Sequence, residues 1–180
     1  MIRDHELRAI VDRARAFDPD AWEALYRRLY PRLHAYANRR LPPSECEDAV
    51  SETFTRAMDA IDRFRWRGAG FDAWVFGILR NVVYERYRSR PVQTSPDAVP
   101  ELVSGESGPL ERLVAHEETA DVRAAFARLG PEDREVLELR VLGDLDAKAV
   151  GSVLGKRPGA VRMAQQRALQ RLGDLLTEPS

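Results

Sequence analysis

The apolar residues of this 180-residue chain recur at spacings of three and four, and strict two-residue alternation is absent. This spacing is the period of an amphipathic α-helix, whereas a half-buried β-strand requires a period of two. Three such stripes follow one another before residue 90, and four shorter ones follow residue 110. The pattern therefore predicts an all-α protein composed of two small helical domains.

The first predicted domain, residues 1–90, contains three helices with recognisable ends. Asp18 and Pro19 have the cap-and-proline pattern of a helix start, and Leu41-Pro42-Pro43 ends that helix. Ser44 and Glu47 have the spacing of a capping box, and the segment 67–70 precedes the third helix. Each helix has a predicted buried stripe. The stripe of the first is Trp22, Leu25, Tyr26, Leu29, Leu33 and Tyr36, that of the second is Val50, Phe54, Ala57, Ile61 and Phe64, and that of the third is Phe71, Trp74, Val75, Ile78 and Val82.

Residues 91–109 have the composition of an acidic, flexible linker, with four prolines, three serines and two glycines. The second predicted domain, residues 110–180, contains four helical patterns. We expect Asp146 to cap a short helix that ends at Gly155, and Pro158 to open the last helix. The predicted buried seam of that last helix is Val161, Ala164, Ala168, Leu172 and Leu175.

Composition excludes several classes of protein. Hydrophobic residues make up 44% and charged residues 32%, which is too apolar for a disordered chain. No apolar run approaches the roughly 20 residues of a membrane span, and the charged N-terminus is unlike a signal peptide. A single cysteine, Cys46, excludes an internal disulfide and suits a reducing cytoplasm. We expect a cytoplasmic protein with no membrane partner, and we interpret Cys46, which lies between two glutamates, as incidental.

Residues 146–172 have the layout of a DNA-reading helix-turn-helix, in which a short helix and a glycine turn precede a basic helix. Residues 156–172 contain five basic side chains and no acidic one. Arg162, Met163, Gln166 and Arg167 share the outer face, where they could read base edges in the major groove. Lys156 and Arg157 could hold phosphate at the helix start. The alternative is that this face is simply a solvated surface.

Residues 63–90 place aromatic residues among arginines, and the stretch 61–90 carries a net charge of +4. We expect Phe76, Arg80, Asn81, Tyr84, Tyr87 and Arg88 to point outward. Single-stranded nucleic acid is bound by this combination, because bases stack on rings while arginines hold the backbone. The loop at 65–70 could receive an extruded base. The alternative is that Tyr84 and Tyr87 pack under the linker or a partner protein.

Three strings of the sequence together resemble the extracytoplasmic-function (ECF) sigma factors of bacterial RNA polymerase. ECEDAVSETFTRAM resembles the polymerase-binding helix, and FRWRGAGFDAWVFGILRNVV resembles the segment that melts and reads the minus-10 promoter element. LGPEDREVLELRVLGDLDAKAVGSVLGKRPGAVRMAQQRALQRL resembles the minus-35 reading domain. The match covers about residues 18–90 and 110–176. It implies a non-enzymatic subunit without cofactor or metal that directs core polymerase to promoters.

The resemblance also implies roles for individual residues. The helix with Asp48, Ser51, Glu52 and Phe54 would bind the clamp of the polymerase β′ subunit, although Ser51 stands where the family usually has glutamine. The second domain would contact the flap of the β subunit. The minus-10 set, for single-stranded promoter DNA, is Arg65, Trp66, Arg67, Arg80, Asn81, Tyr84 and Arg88. The minus-35 set, for duplex DNA, is Lys156, Arg157, Arg162, Met163, Gln166 and Arg167. An inhibitory anti-sigma factor is a further expected partner.

Other functions fit less of the sequence. A stand-alone helix-turn-helix regulator would explain residues 110–176 but not the acidic helix at 44–60. A helical adaptor that binds only proteins would have its basic faces occupied by salt bridges. An enzyme is less consistent still, because His5, His34 and His116 are scattered and no phosphate loop or metal-spaced cluster occurs.

Overall fold

The structure, a computed structural model, describes residues 4–66, 68–89 and 117–177, and every regular element among them is helical. The predicted linker, residues 91–109, lies outside the described residues. We refer to residues 4–89 as the N-terminal module and to residues 117–177 as the C-terminal module. The N-terminal helices are α1 (Asp4–Arg15), α2 (Pro19–Ala37), α3 (Pro43–Ala60), a 3-10 turn (Ile61–Arg63) and α4 (Gly70–Arg88). The C-terminal helices are α5 (Glu117–Arg128), α6 (Pro131–Val141), α7 (Ala147–Leu154) and α8 (Pro158–Thr177).

Most of the predicted helix ends are confirmed. The Asp18 carboxylate accepts hydrogen bonds from the backbone N–H groups of Asp20 (3.0 Å) and Ala21 (3.3 Å). Asp146 caps α7 in the same way through the N–H of Ala149, at 2.7 Å. Gly155 ends α7 with φ of +66°, a conformation that glycine adopts without the steric cost of a Cβ atom.

The predicted cap at Ser44 is wrong. Helix α3 begins at Pro43, two residues before the start that a Ser44 cap would give, and follows Pro42 without any side-chain cap. Proline has no N–H group and its fixed φ suits the first helical position. The double proline therefore starts the helix without help from a serine hydroxyl.

The first helix, α1, was not predicted. Its residues Leu7, Val11 and Ala14 are buried and pack on α2, and the indole N–H of Trp22 donates to the carbonyl of Ala14 at 3.0 Å. The spacing of three and four was present in the sequence, but the many charged residues of this segment hid it. The N-terminal bundle therefore contains four α-helices rather than three.

Helix α4 is buried on two faces because α3 packs on one side of it and α7 of the C-terminal module packs on the other. Phe71, Val75 and Val82 are buried as predicted, while Leu79 and Val83 are buried as well. The prediction that Phe76 points outward is wrong. Its side chain is fully buried and meets the ring of Tyr36 edge-on, with ring centroids 6.0 Å apart.

A single apolar core runs through both modules. It joins the buried faces of α1–α4 to Val136 and Leu139 of α6, Val150 of α7 and Val161 of α8. A smaller cluster of Leu129, Leu137 and Ala168 lies beneath α5 and holds the far side of the C-terminal module together. The two modules are therefore closed on each other in this structure.

Candidate nucleic-acid and polymerase interfaces

The helix-turn-helix of the C-terminal module places its second helix, α8, with one face on the core and the other in solvent. Val161, Ala164 and Ala168 are buried as predicted, and Leu172 and Leu175 are partly buried. The turn is tight, because a Cβ atom on Gly151 would lie only 2.5 Å from the backbone carbonyl oxygen of Lys156. Glycine at position 151 therefore allows the turn to approach α7.

The predicted minus-35 residues lie on the solvent side of this motif. The exposed members are Arg157, Arg162, Met163, Gln166 and Arg167. Lys156 is half-buried and its ammonium group pairs with the carboxylate of Glu132 at 3.0 Å. The structure thus brings five of the six residues onto one accessible surface that can donate hydrogen bonds and contact apolar groups.

The predicted minus-10 residues of α4 are divided by the closure of the modules. Asn81 and Arg88 are exposed. Arg80 is half-buried, and its Nε donates to the Glu135 carboxylate of α6 at 2.9 Å. Its guanidinium group also lies 4.6 Å from the ring centroid of Tyr84, which is itself half-buried. The arginine and ring therefore lie together, but against the C-terminal module.

The loop before α4 contains the remaining minus-10 residues. Arg65 is exposed, and its guanidinium group donates to the carbonyl of Phe64 at 2.9 Å. Trp66 packs edge-on against Phe64 and beneath Arg8, whose guanidinium carbon lies 4.6 Å from the indole centroid. Gly68 and Gly70 have φ of +61° and +78°. Arg67 lies outside the described residues.

A cavity of about 480 Å³ separates this loop from the C-terminal module. Its walls carry charges of both signs, with Arg8, Arg28 and Asp72 on one side and Asp144 and Asp146 on the other. Arg28 is already paired with Asp72 at 2.7 Å. The cavity is therefore a mixed-charge gap between the two modules rather than a basic pocket.

The four predicted polymerase-binding residues of α3 differ in accessibility. Asp48 and Ser51 are exposed. Glu52 pairs with Arg86 at 2.7 Å and with Arg56 at 2.6 Å, and the hydrogen bond from Arg86 holds the pKa of the Glu52 carboxyl below its usual value. Phe54 is buried. Of the predicted set, Asp48 therefore supplies the exposed negative charge.

Sequence reasoning missed an aromatic group beside this helix. The ring of Tyr26 lies 4.8 Å from that of Phe54 and stacks on Tyr30 at 5.1 Å, and Tyr26 remains 41% exposed. Met58 of α3 is also exposed. Tyr26 was expected in the buried stripe of α2, and only the crossing of α2 and α3 places it at the surface next to Phe54.

Buried polar groups join the two modules. Arg40, in the turn after α2, forms an ion pair with Glu138 of α6, and both side chains are at most 3% exposed. The hydroxyl of Tyr36 donates to the Glu135 carboxylate at 2.9 Å. Burial raises the pKa of the Tyr36 hydroxyl well above its usual value, and burial likewise raises the pKa of Glu138 despite the nearby Arg40. Charged groups this deep are tolerated only when they are paired.

The described residues also bear on two further expectations, membrane association and the reactivity of Cys46. None of the described helices is long and apolar enough to cross a membrane. Cys46 is fully buried, and burial raises the pKa of its thiol, in keeping with an unreactive side chain.

Comparison with known proteins identifies the family. The family described as Sigma-70 region 2 matches residues 25–91, and the family described as Sigma-70, region 4 matches residues 119–172. The ECF RNA polymerase sigma factor ShbA of Streptomyces griseus is 34% identical over 95% of this chain and 97% of its own length. The chain belongs to the ECF sigma factors. Sigma factors are RNA polymerase subunits that recognise promoters, and this part of the interpretation is confirmed.

Other sigma factors are similar to this chain as well. The ECF sigma factor BldN of Streptomyces coelicolor is 30% identical over 94% of this chain, which spans 65% of the length of BldN. Among solved structures, the sigma factor CnrH in complex with the cytosolic domain of CnrY is 26% identical, with a TM-score of 0.68 over 96% of this chain and 98% of CnrH. The sigma factor RpoE in complex with the anti-sigma factor NepR from Bartonella quintana is 25% identical, with a TM-score of 0.61 over 88% and 99% of the two chains.

Proposed function

We propose that this chain directs core RNA polymerase to promoters by dividing the task between its two modules. Residues 1–90 bind the polymerase and the opened minus-10 strand, residues 91–109 link the modules, and residues 110–180 bind the minus-35 duplex. The chain performs no covalent chemistry, since binding to unpaired bases is sufficient to shift the equilibrium from closed to open promoter. It works in the cytoplasm, where its polymerase is found.

The observation that carries this proposal is the exposed face of α8. Arg162, Gln166 and Arg167 protrude from a helix whose opposite side is fixed in the core. A recognition helix needs this combination, because base readout requires donors held rigidly in the major groove. Arginine can bond guanine, glutamine can bond adenine, and the exposed Met163 can contact a thymine methyl group.

The minus-10 function is proposed for the loop at 65–70 and the outer part of α4. Arg80 and Tyr84 form a cation–π pair, with Asn81 exposed beside them. A ring on which a base can stack, next to an arginine that can hold phosphate, suits unpaired DNA.

The polymerase contact is proposed for the outer face of α3. Asp48 supplies an exposed negative charge for the basic clamp of β′, and charge complementarity of this kind sets register and association rate. Tyr26 and Met58 add exposed apolar area beside it. The flap of the β subunit is proposed to bind the C-terminal module.

A protein inhibitor is the remaining proposed partner. The similar structures of CnrH and RpoE are complexes with the cytosolic domain of CnrY and with the anti-sigma factor NepR, respectively. We expect an anti-sigma factor to hold this chain inactive until a signal releases it.

The polymerase contact can be tested with Asp48→Lys. We expect this variant to bind purified core polymerase at least about tenfold more weakly, because the new lysine would face a basic clamp. Asp12→Lys is the matched control, since Asp12 is an exposed aspartate on α1 and its replacement makes the same change of charge. Fluorescence anisotropy of labelled protein titrated with core measures both. Equal affinity of the two variants would contradict docking through α3.

A further inference from the structure

We propose that Glu135 is an internal mimic of the DNA strand, which in the closed chain occupies the Arg80–Tyr84 part of the minus-10 surface. The ion pair between Arg40 and Glu138 holds it there. This inference rests on the proposed function of the minus-10 surface and adds how access to that surface is regulated.

The surroundings of Glu135 are those of a bound anion. Its carboxylate, on a side chain only 4% exposed, accepts from Nε of Arg80 and from the hydroxyl of Tyr36, both at 2.9 Å. The same arginine donates to the hydroxyl of Tyr84 at 3.2 Å. A guanidinium group binds carboxylate and phosphate through the same donors. Glu135 thus satisfies the arginine that a DNA phosphate would otherwise use.

The ion pair of Arg40 and Glu138 acts as a latch one helical turn from Glu135. Both partners are almost fully buried between the modules, so removing either one leaves a buried unpaired charge. Separation of the modules instead returns both ions to water. Since the desolvation of a buried pair largely cancels its attraction, the intact pair adds little net stability and leaves closure reversible; it fixes the register in which the modules meet, and replacing one partner disfavours closure.

The C-terminal module also reaches the loop before α4 at Gly68, beside the cavity that lies between them. A Cβ atom on Gly68 would lie 2.7 Å from Cε of Lys148, which belongs to α7 of the C-terminal module. By contrast, Arg162, Gln166 and Arg167 remain exposed. Closure therefore covers the Arg80–Tyr84 part of the strand-binding surface, whereas Asn81 and the duplex-reading residues stay exposed. The free chain should accordingly bind the minus-35 duplex at full strength and the unpaired minus-10 strand more weakly than an opened chain does.

The latch is tested by Glu138→Arg, which places two arginines in contact. Small-angle X-ray scattering of the full chain should show a radius of gyration near that of a compact body, about 16 Å for 180 residues. We expect Glu138→Arg to increase it clearly and the exchange Arg40→Glu with Glu138→Arg to restore it. Glu132→Arg is the control, because Glu132 lies on the same helix but is exposed and pairs within its own module.

The mimicry is tested by binding of fluorescent oligonucleotides to the free chain. Glu138→Arg and Glu135→Gln should bind a single-stranded minus-10 oligonucleotide about tenfold more tightly than the original chain, as expected if the closed state dominates about ten to one. Binding to a minus-35 duplex should be unchanged. Circular dichroism confirms that each variant retains its helices.

The proposal would be overturned if the original chain had the radius of gyration of an extended chain. It would also be overturned if Glu138→Arg increased the radius of gyration without increasing the affinity for the single strand. An equal gain for Glu132→Arg would also overturn it, because charge alone would then explain the binding. None of these outcomes affects the proposed function, which fails only if the chain does not support transcription with core polymerase.

Discussion

Gly151 provides a sharp test of how the helix-turn-helix is packed. A glycine inside an exposed helix normally weakens it, and replacement by alanine gains about 1 kcal/mol. Here the added Cβ would lie 2.5 Å from the carbonyl oxygen of Lys156. The obstructing atom belongs to the backbone, so no change of rotamer can relieve the contact. Overpacking of this kind costs about 1–3 kcal/mol.

When the gain in helix propensity is set against the cost of overpacking, Gly151→Ala is predicted to lower the free energy of unfolding by about 1 kcal/mol. The melting temperature should then fall by about 2–4 °C for a chain of this size. Minus-35 duplex binding should weaken too, because Lys156 belongs to the turn that positions α8. Thermal denaturation followed by circular dichroism and anisotropy with labelled duplex measure the two effects.

Gly173→Ala is the matched control for this test. Gly173 lies within α8, and a Cβ atom there would meet nothing within 4 Å. It should therefore stabilise the protein by up to about 1 kcal/mol. If Gly151→Ala also stabilised the chain, the close approach of the turn to α7 would be refuted.

Two further predictions concern surface residues. Arg162→Ala should cost about 1–3 kcal/mol of binding at one base pair of the minus-35 element and relax the preference there; anisotropy across single-base duplex variants measures it, and equal loss on every sequence would indicate a phosphate contact instead. Glu85→Gln should lower the free energy of unfolding at pH 7 by less than about 1 kcal/mol, since Glu85 is largely exposed. The hydrogen bond from Arg56 lowers the pKa of the Glu85 carboxyl, so its contribution is present above the unfolded value of about 4.3 and disappears as the pH falls through the lower, folded value. Urea unfolding at a series of pH values downward from 7 checks this, and a difference that did not shrink as the pH fell would contradict it.

The features that sequence predicted well are those fixed by local chemistry. Asp18 and Asp146 cap helices because their carboxylates meet N–H groups two or three residues further along the chain. Gly155 ends α7 because of its own backbone conformation. Each of these outcomes depends on near neighbours, and so each could be read from the order of the residues.

The outcomes that depend on packing between distant segments were not predictable in this way. Phe76 was expected outward because one stripe of α4 already accounted for a core face. The C-terminal module then covers a second face. Nothing in the spacing of the residues indicates that Tyr36 will meet Glu135, 99 positions later. The same holds for Arg40 and Glu138, whose charges would ordinarily have been assigned to solvent.

The glycine at position 151 shows how a local rule can point in the wrong direction. By helix propensity alone, a glycine inside α7 weakens that helix. The structure instead shows that the absence of a side chain is what allows the carbonyl of Lys156 to approach. Whether glycine at this position stabilises or destabilises the protein relative to alanine depends on a contact across the turn rather than on helix propensity.

The most direct test of the central claim is run-off transcription by purified core polymerase, with and without this chain, on a pooled library of promoter fragments. We predict transcripts that appear only when the chain is added, from fragments sharing two spaced sequence elements. If no fragment depended on the chain, and core binding were also absent, the chain would not act as a sigma factor and a duplex-binding regulator would describe it better.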